Sequence, residues 1–128
     1  MQNVRQQDLD DLRQTVCEFL TDMGGIFTSP VERGDMALVE FFYKRLHKET
    51  LMQHTIEKLL SFKRQIEERN IQFFDENRYI FAGLPGDRVA YYSDIILVQK
   101  RLSSDDLNMM WDYLDTMLAL AESYKKCQ

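Results

Sequence analysis

The sequence has few of the residues that bend or cross-link a chain. Its 128 residues include two cysteines, two prolines and five glycines. Scarce proline and glycine favour long helices over a turn-rich β-sandwich. Cys17 and Cys127 lie far apart with no CxxC motif, which is typical of free thiols in a reducing compartment. A bridge between the two thiols is also compatible with the sequence.

Long apolar runs are missing as well. No segment approaches the roughly twenty apolar residues that a membrane-spanning helix needs. The N-terminal MQNVRQQDLDDLR has no apolar stretch of the kind that signal peptides contain. We therefore expect an intracellular protein with no membrane partner. The length fits one domain, residues 1–128, and the apolar fraction of 45% is ordinary for a globular chain.

An excess of positive charge is also absent. The formal net charge is −5, which argues against general nucleic-acid binding, because that binding depends on Lys and Arg side chains that neutralise phosphates. Residues 40–70 are the exception, with a net charge of +2. Their interleaved acids favour ion pairs along a helix, and a nucleic-acid-associated factor remains the alternative function. The basic residues of this segment are Lys44, Arg45, Lys48, Lys58, Lys63, Arg64 and Arg69.

The clearest helix is the last one, Ser103–Lys126. Ser103 or Ser104 is placed to cap it, acids follow in its first turn, and two lysines end it, as the helix dipole favours. We expect Trp111 to lie in the core of the domain. Its apolar stripe has helical spacing and consists of Leu107, Met110, Trp111, Leu114, Met117, Leu118, Ala121 and Tyr124.

Four more helices are predicted from apolar spacing, over residues 7–23, 30–48, 51–72 and 88–99. Ser29, Thr50 and Asp87 are their expected N-caps. Gly24 and Gly25 are expected to end the first helix in the left-handed conformation that glycine adopts readily.

The segment from residue 73 to 102 is rich in aromatics and turns. Its residues 79–81, Tyr-Ile-Phe, are compatible with a short strand or with an extended segment packed on the bundle. Pro85 and Gly86 match a type II turn. The predicted fold is therefore an all-α, single-domain bundle of about five helices, with a turn-rich aromatic segment before the last two.

Catalytic patterns are not found. His47 and His54 are seven residues apart, about 10 Å along a helix, too far to share a metal ion, so we expect surface histidines. No serine or cysteine lies in a known nucleophile motif. We predict a non-enzymatic protein with no catalytic, cofactor or metal site. A small hydrolase would require a histidine brought close to a carboxylate or a thiol by the fold.

Aromatic residues are abundant for one small interior, with eight Phe, six Tyr and one Trp. The doublets at 41–42, 73–74 and 91–92 are not expected to face the same core. Aromatic side chains are enriched at protein interfaces, and twofold dimers are the commonest oligomers. We therefore expect a homodimer whose interface contains Phe41, Phe42 and Tyr43.

The C-terminal half contains a familiar combination of segments: FFDENRYIF at 73–81, GLPG at 83–86, Leu102-Ser103 and WDYLDTM at 111–117. Over residues 55–124 the sequence resembles small proteins of giant double-stranded DNA viruses, the marseilleviruses above all. The resemblance implies a viral protein of no assigned enzymatic activity, made in the host cytoplasm and packaged in the virion. It also implies a minor structural or interaction role with other viral or host proteins as partners.

Overall fold

Two long helices, α1 and α7, form the centre of the fold. A computed structural model describes residues 3–127 and places α1 at Val4–Gly24 and α7 at Ser104–Lys126. The Arg5 guanidinium lies 4.1 Å from the ring centroid of Tyr124, and the Tyr113 hydroxyl donates a 2.5 Å hydrogen bond to Asp22. The start of α1 therefore lies beside the end of α7, and the two helices are antiparallel.

Five shorter α-helices lie between them: α2 (Pro30–Lys44), α3 (Lys48–Leu59), α4 (Lys63–Glu67), α5 (Phe73–Glu76) and α6 (Gly86–Asp94). Leu60–Phe62 and Tyr79–Phe81 form 3₁₀ turns, and Ile95–Gln99 continues α6 as a π-helical segment. Helix α3 packs on both α1 and α7, α2 packs on α1, and α4 packs on α7. Residues 3–127 contain no β-strand, so the predicted all-α bundle is confirmed.

The start and the core role of α7 agree with the sequence. The Ser103 hydroxyl accepts a 3.0 Å hydrogen bond from the backbone N–H of Asp106 and so caps the helix. Trp111 is only 5% exposed. Its ring packs on Phe74 and Phe73, with centroid distances of 4.8 and 6.1 Å. The predicted place of Trp111 in the core is confirmed.

Helix α2 begins as expected and ends earlier. Ser29 and Glu32 form a capping box, in which each side chain accepts a hydrogen bond from the backbone N–H of the other. The helix ends at Lys44 and not at Lys48, because the chain turns between these two residues. The Arg13 guanidinium of α1 donates to the carbonyls of Tyr43 and Leu46 and stabilises this turn.

The prediction for residues 51–72 was wrong at both ends. Helix α3 begins at Lys48, so Thr50 lies inside it and is not a cap. The far end is interrupted by a 3₁₀ turn, and α4 ends at Glu67. Arg69 then adopts the left-handed conformation, with φ of 54°. Its guanidinium donates hydrogen bonds of 2.9 and 2.6 Å to both carboxylate oxygens of Asp115 on α7, which holds the chain in this turn.

The expected strand or extended segment at 79–81 is a buried 3₁₀ turn instead. Asn77 explains this, because its side-chain oxygen accepts a 2.8 Å hydrogen bond from the Tyr79 N–H. Its amide group donates to the Lys58 carbonyl at 2.5 Å, which ties the turn to α3. A local side-chain interaction of this kind competes with strand formation.

Two turns differ from the glycine-based predictions. Pro85 is the N-cap residue of α6 and Gly86 its first residue, so there is no type II turn, and Asp87 lies in the first turn and does not cap the helix. Gly25 ends α1 with φ of −80°, which is not left-handed. Among glycines 24–86, all within the described residues, Gly83 is the one with positive φ, 94°.

Two of the three aromatic doublets pack in the core. Phe73, Phe74 and Tyr92 are all buried, and Tyr91 is half-buried. Phe27 lies with its ring centroid 4.9 Å from that of Tyr92. Edge-to-face and stacked packing thus accommodates the doublets at 73–74 and 91–92 in one interior, while Phe41 of the third doublet is exposed, so the three doublets do not all face the same core.

Candidate interaction surface

Helix α2 has a second apolar stripe, on the side that faces away from the core. Val31, Leu38 and Phe41 are 63%, 49% and 60% exposed. With Gly34 they have the spacing i, i+3, i+7 and i+10, which places all four on one side of a helix. We call Val31, Gly34, Leu38 and Phe41 the outer stripe. Large apolar side chains grouped on one exposed face are typical of interaction surfaces.

The opposite side of α2 contains two buried carboxylates, Glu32 and Asp35. One oxygen of Asp35 accepts hydrogen bonds from Arg88, at 2.6 and 3.0 Å, and from the Tyr92 hydroxyl at 2.6 Å. Glu32 accepts a 2.6 Å hydrogen bond from the Tyr91 hydroxyl. We call Glu32 and Asp35 the buried acid pair. Because all three donors belong to α6, the pair fixes α2 on α6.

Both buried carboxylates are held in the charged form. Burial alone raises the pKa of Glu32, but the hydrogen bonds from Tyr91 and Ser29 and the charge of Arg101 outweigh it, so the pKa lies below its ordinary value. Burial likewise raises the pKa of Asp35, and the hydrogen bonds from Arg88 and Tyr92 lower it further than burial raises it. The acid pair thus forms charge-assisted bonds, which are the stronger kind.

The loop before α6 covers one edge of the outer stripe. A Cβ atom placed on Gly83 would lie 2.8 Å from the Cβ of Phe42 and 3.2 Å from the Leu38 carbonyl oxygen. Phe42 is half-buried there, with its ring centroid 5.7 Å from that of His54. The Gly83 loop therefore bounds the stripe beside Leu38, and Val31, Gly34 and Phe41 stay exposed.

Charged side chains border the other edge. The Arg45 guanidinium lies 5.1 Å from the ring centroid of Phe41, and Lys44 forms a 2.5 Å ion pair with Glu40. Glu40 and Phe41 line the same shallow surface depression. Arg33 is exposed and has no ion pair within residues 3–127. An apolar centre with a charged rim is the usual anatomy of a protein interface.

The three predicted interface residues have different places. Phe41 is exposed, Phe42 is half-buried, and Tyr43 is 2% exposed. The Tyr43 hydroxyl donates a hydrogen bond to the Tyr79 carbonyl, and burial raises the pKa of Tyr43 well above its ordinary value. Tyr43 thus belongs to the core of the fold. Val31 and Leu38 were missed, although their seven-residue spacing is visible in the sequence.

Most basic side chains of residues 40–70 already have carboxylate partners. Two of the pairs connect different helices and a third connects the turn after α4 to α7, so these basic groups hold the bundle together. Arg45 and Lys58 are the two without an ion pair in the described part of the chain. The paired side chains are Lys44–Glu40, Lys48–Asp10, Lys63–Glu122, Arg64–Glu68 and Arg69–Asp115.

His47 is exposed as predicted, but the prediction of a surface position was wrong for His54. The His54 ring stacks on Tyr79 at a centroid distance of 5.3 Å, and its Nε2 lies 3.4 Å from the Tyr43 hydroxyl. Burial, followed by the charge of Lys58, lowers the pKa of His54 below its ordinary value. Aromatic rings, rather than a thiol, surround this imidazole.

Residues 3–127 contain neither a disulfide nor a cluster of metal ligands. Cys17 is half-buried, Cys127 is exposed, and both are free thiols. Within these residues no group of three or more His, Cys, Asp or Glu side chains is placed to hold a metal ion. None of the described helices combines the length and the apolar character that crossing a membrane requires.

Comparisons with protein-family models, with curated proteins and with solved structures give no match for this chain.

Proposed function

We propose that this protein acts without catalysis, by binding protein through the outer stripe of α2. The observation that supports this proposal is the exposure of Val31, Leu38 and Phe41 on one helix face, whereas the other two exposed large apolar side chains of the described residues, Val4 and Val98, lie singly on other elements. Exposing such a face to water is unfavourable, and covering it with a partner recovers the hydrophobic free energy.

The partner that we propose is a second copy of the chain. One stripe on one helix is suited to a twofold interface, in which the same surface is used by both copies. Helix α2 has 15 residues and is about 22 Å long, so a contact between two such helices is small. We therefore expect a dimer that dissociates on dilution, with a monomer that stays folded.

The experiment that tests this proposal is light scattering on the purified chain over a range of concentrations. Leu38→Ser with Phe41→Ser should give a folded monomer at concentrations where the natural chain is dimeric. Val98→Ser is the matched control, because Val98 is 72% exposed but lies in the π-helical segment after α6. A natural chain that is monomeric throughout, or a double variant that still dimerises, would overturn the proposal.

The resemblance to giant-virus proteins supports a further part of the proposal: the protein is a minor virion component, made in the host cytoplasm, that binds viral or host proteins. Quantitative mass spectrometry of purified particles of the encoding virus tests this. Copies retained in washed particles are expected, and a protein found in infected cells but absent from particles would contradict it.

The alternative is a nucleic-acid-associated factor that uses residues 40–70. It receives less support, because five of the seven basic side chains there are paired with carboxylates. Repeating the light scattering with a short DNA duplex at low and high salt separates the two functions. No change in mass is expected, whereas a salt-sensitive complex would make residues 40–70 the functional surface.

A further inference from the structure

We propose that the dimer is an antiparallel pair of α2 helices in which Phe41 of each copy fills a notch above Gly34 of the other. This inference rests on the proposed function and specifies the geometry of the same surface. Its twofold axis passes beside Ala37 and Leu38, midway between Gly34 and Phe41 along the helix.

The shape of the outer stripe favours this pairing. A Cβ atom placed on Gly34 would have no contact within 4 Å outside its own helical turn, so the surface there is open. Glycine is unfavourable inside a helix, and nothing within the folded chain requires it at this position. Phe41, seven residues later on the same stripe, has a largely exposed ring. The stripe thus contains both a recess and a side chain of a size to fill it.

Only an antiparallel pair of α2 helices matches Phe41 of one copy with Gly34 of the other. In an antiparallel twofold pair, a contact from Phe41 to Gly34 of the partner copy is repeated by symmetry from the partner to the first copy. A parallel pair in register would instead place Gly34 on Gly34 and Phe41 on Phe41, and both recesses would stay empty. Close packing therefore favours the antiparallel arrangement.

The charges beside the outer stripe also favour the antiparallel orientation. Arg33 and Glu40 are also seven residues apart, and both lie beyond the polar edge of the outer stripe. Antiparallel pairing puts the same edge of the two stripes side by side and so brings each Arg33 level with Glu40 of the other copy, whereas parallel pairing places the two Arg33–Glu40 edges on opposite sides of the contact, where they cannot pair. Arg33 has no ion pair in the described part of the chain, and it can share the exposed Glu40 carboxylate with Lys44. The charges and the shape thus favour the same orientation.

Disulfide cross-linking tests the orientation. In a chain with Cys17→Ser and Cys127→Ser, Ala37→Cys lies next to the proposed axis and should give a covalent dimer under mild oxidation. Lys44→Cys should not, because its two copies would be about 20 Å apart along the helices. A parallel pair would give the two positions the same separation, so that both or neither would cross-link. Equal cross-linking of the two variants, or cross-linking of Lys44→Cys alone, would overturn the proposal.

Gly34→Leu tests the notch. The substitution adds a better helix former at an exposed position, so the monomer should unfold at a higher temperature than the natural chain. It should also fill the recess and weaken dimerisation at least tenfold. Light scattering and circular dichroism measure the two effects. A dimer unchanged or strengthened by Gly34→Leu would exclude the notch, even if the protein dimerises by another face.

Charge reversal distinguishes failure of this geometry from failure of the proposed function. Arg33→Glu and Glu40→Arg should each weaken the dimer, and an equimolar mixture of the two variants should restore it. Arg64→Glu, an equal charge change on α4, should leave it unchanged. A monomeric natural chain would refute the proposed function itself. A natural dimer whose mixed variants fail to associate would refute the antiparallel geometry alone.

Discussion

At the scale of single residues, Trp111 is enclosed by other side chains. Phe73 and Phe74 pack on its ring, and the Arg69 guanidinium lies 5.7 Å from the ring centroid. The same guanidinium pairs with Asp115 one turn further along α7. Trp111 therefore connects α7 to α5 and to the turn that follows α4.

Replacing the Trp111 side chain should strongly destabilise the folded protein. Trp111→Ala removes a buried indole and leaves a cavity, so we expect the free energy of unfolding to fall by about 3–5 kcal/mol. Urea titration followed by circular dichroism measures this loss. Phe41→Ala is the control, since an exposed ring should cost little stability while weakening the dimer. A Trp111→Ala protein that stays as stable but loses its dimer would mean that the two surfaces are assigned the wrong way round.

The places of Trp111 and Tyr43 show what helical spacing predicts at this scale. Trp111 lies within an unbroken apolar stripe, so its burial followed from spacing alone. The sequence prediction places Tyr43 at the interface with Phe41 and Phe42. Tyr43, however, lies four residues after Val39 and seven after Met36, both of which are buried. The same test applied to Phe41 links it to Leu38 and Val31. Helical spacing therefore distinguishes the buried Tyr43 from the exposed Phe41.

At the scale of elements, α2 is held from several directions. Its inner side is bound to α6 through the buried acid pair, its C-terminal turn is bound by Arg13, and Gly83 approaches it closely. These contacts fix the orientation of the outer stripe. A surface that is ordered before binding loses less conformational entropy on association.

Gly83 is the position where this arrangement is most sensitive to a single methyl group. Gly83→Ala would put a side chain at φ of 94° and its Cβ 2.8 Å from that of Phe42. We expect a loss of about 1–3 kcal/mol from the backbone strain, measured by urea titration. Gly24→Ala is the matched control, because a Cβ there has no contact within 4 Å, and it should be neutral or stabilising. Equal stability of both variants would contradict the close approach.

Element boundaries were predictable where local chemistry sets them. Ser29 and Ser103 cap α2 and α7 as their sequences indicate. The end of α4 depends on Arg69 reaching Asp115, and the attachment of the 79–81 turn to α3 depends on Asn77 reaching Lys58. Those partners are far away in sequence, and no local pattern contains them.

At the scale of the whole molecule, stability should depend on pH through three buried groups. The pKa values of Glu32 and Asp35 are lowered in the folded state, so the unfolded chain binds more protons in acid. The pKa of His54 is lowered too, so the unfolded chain also binds more protons below about pH 6.5. All three groups therefore make the protein less stable as the pH falls.

We expect the free energy of unfolding to decrease first below about pH 6.5, through His54, and more steeply below about pH 4.5, through the acid pair. Urea titrations from pH 7.5 to 3 measure both changes. Asp35→Asn should be less stable at pH 7 and should have a shallower slope below pH 4.5, while Glu40→Gln should keep the natural slope. Identical slopes for Asp35→Asn and the natural chain would contradict the role of the acid pair.

The antiparallel pairing of α1 with α7 also has a consequence for synthesis on the ribosome. Helix α1, whose buried side includes Leu9, Leu12 and Val16, packs against α7, the helix that is translated last, as well as against α2 and α3. Roughly 80 residues separate the two helices, which at about 5–20 residues per second delays α7 by several seconds or more. During that time the part of the α1 core face that α7 covers stays exposed in the nascent chain. A chaperone that binds apolar segments is therefore expected to engage the N-terminal helix first, and to release it when α7 emerges.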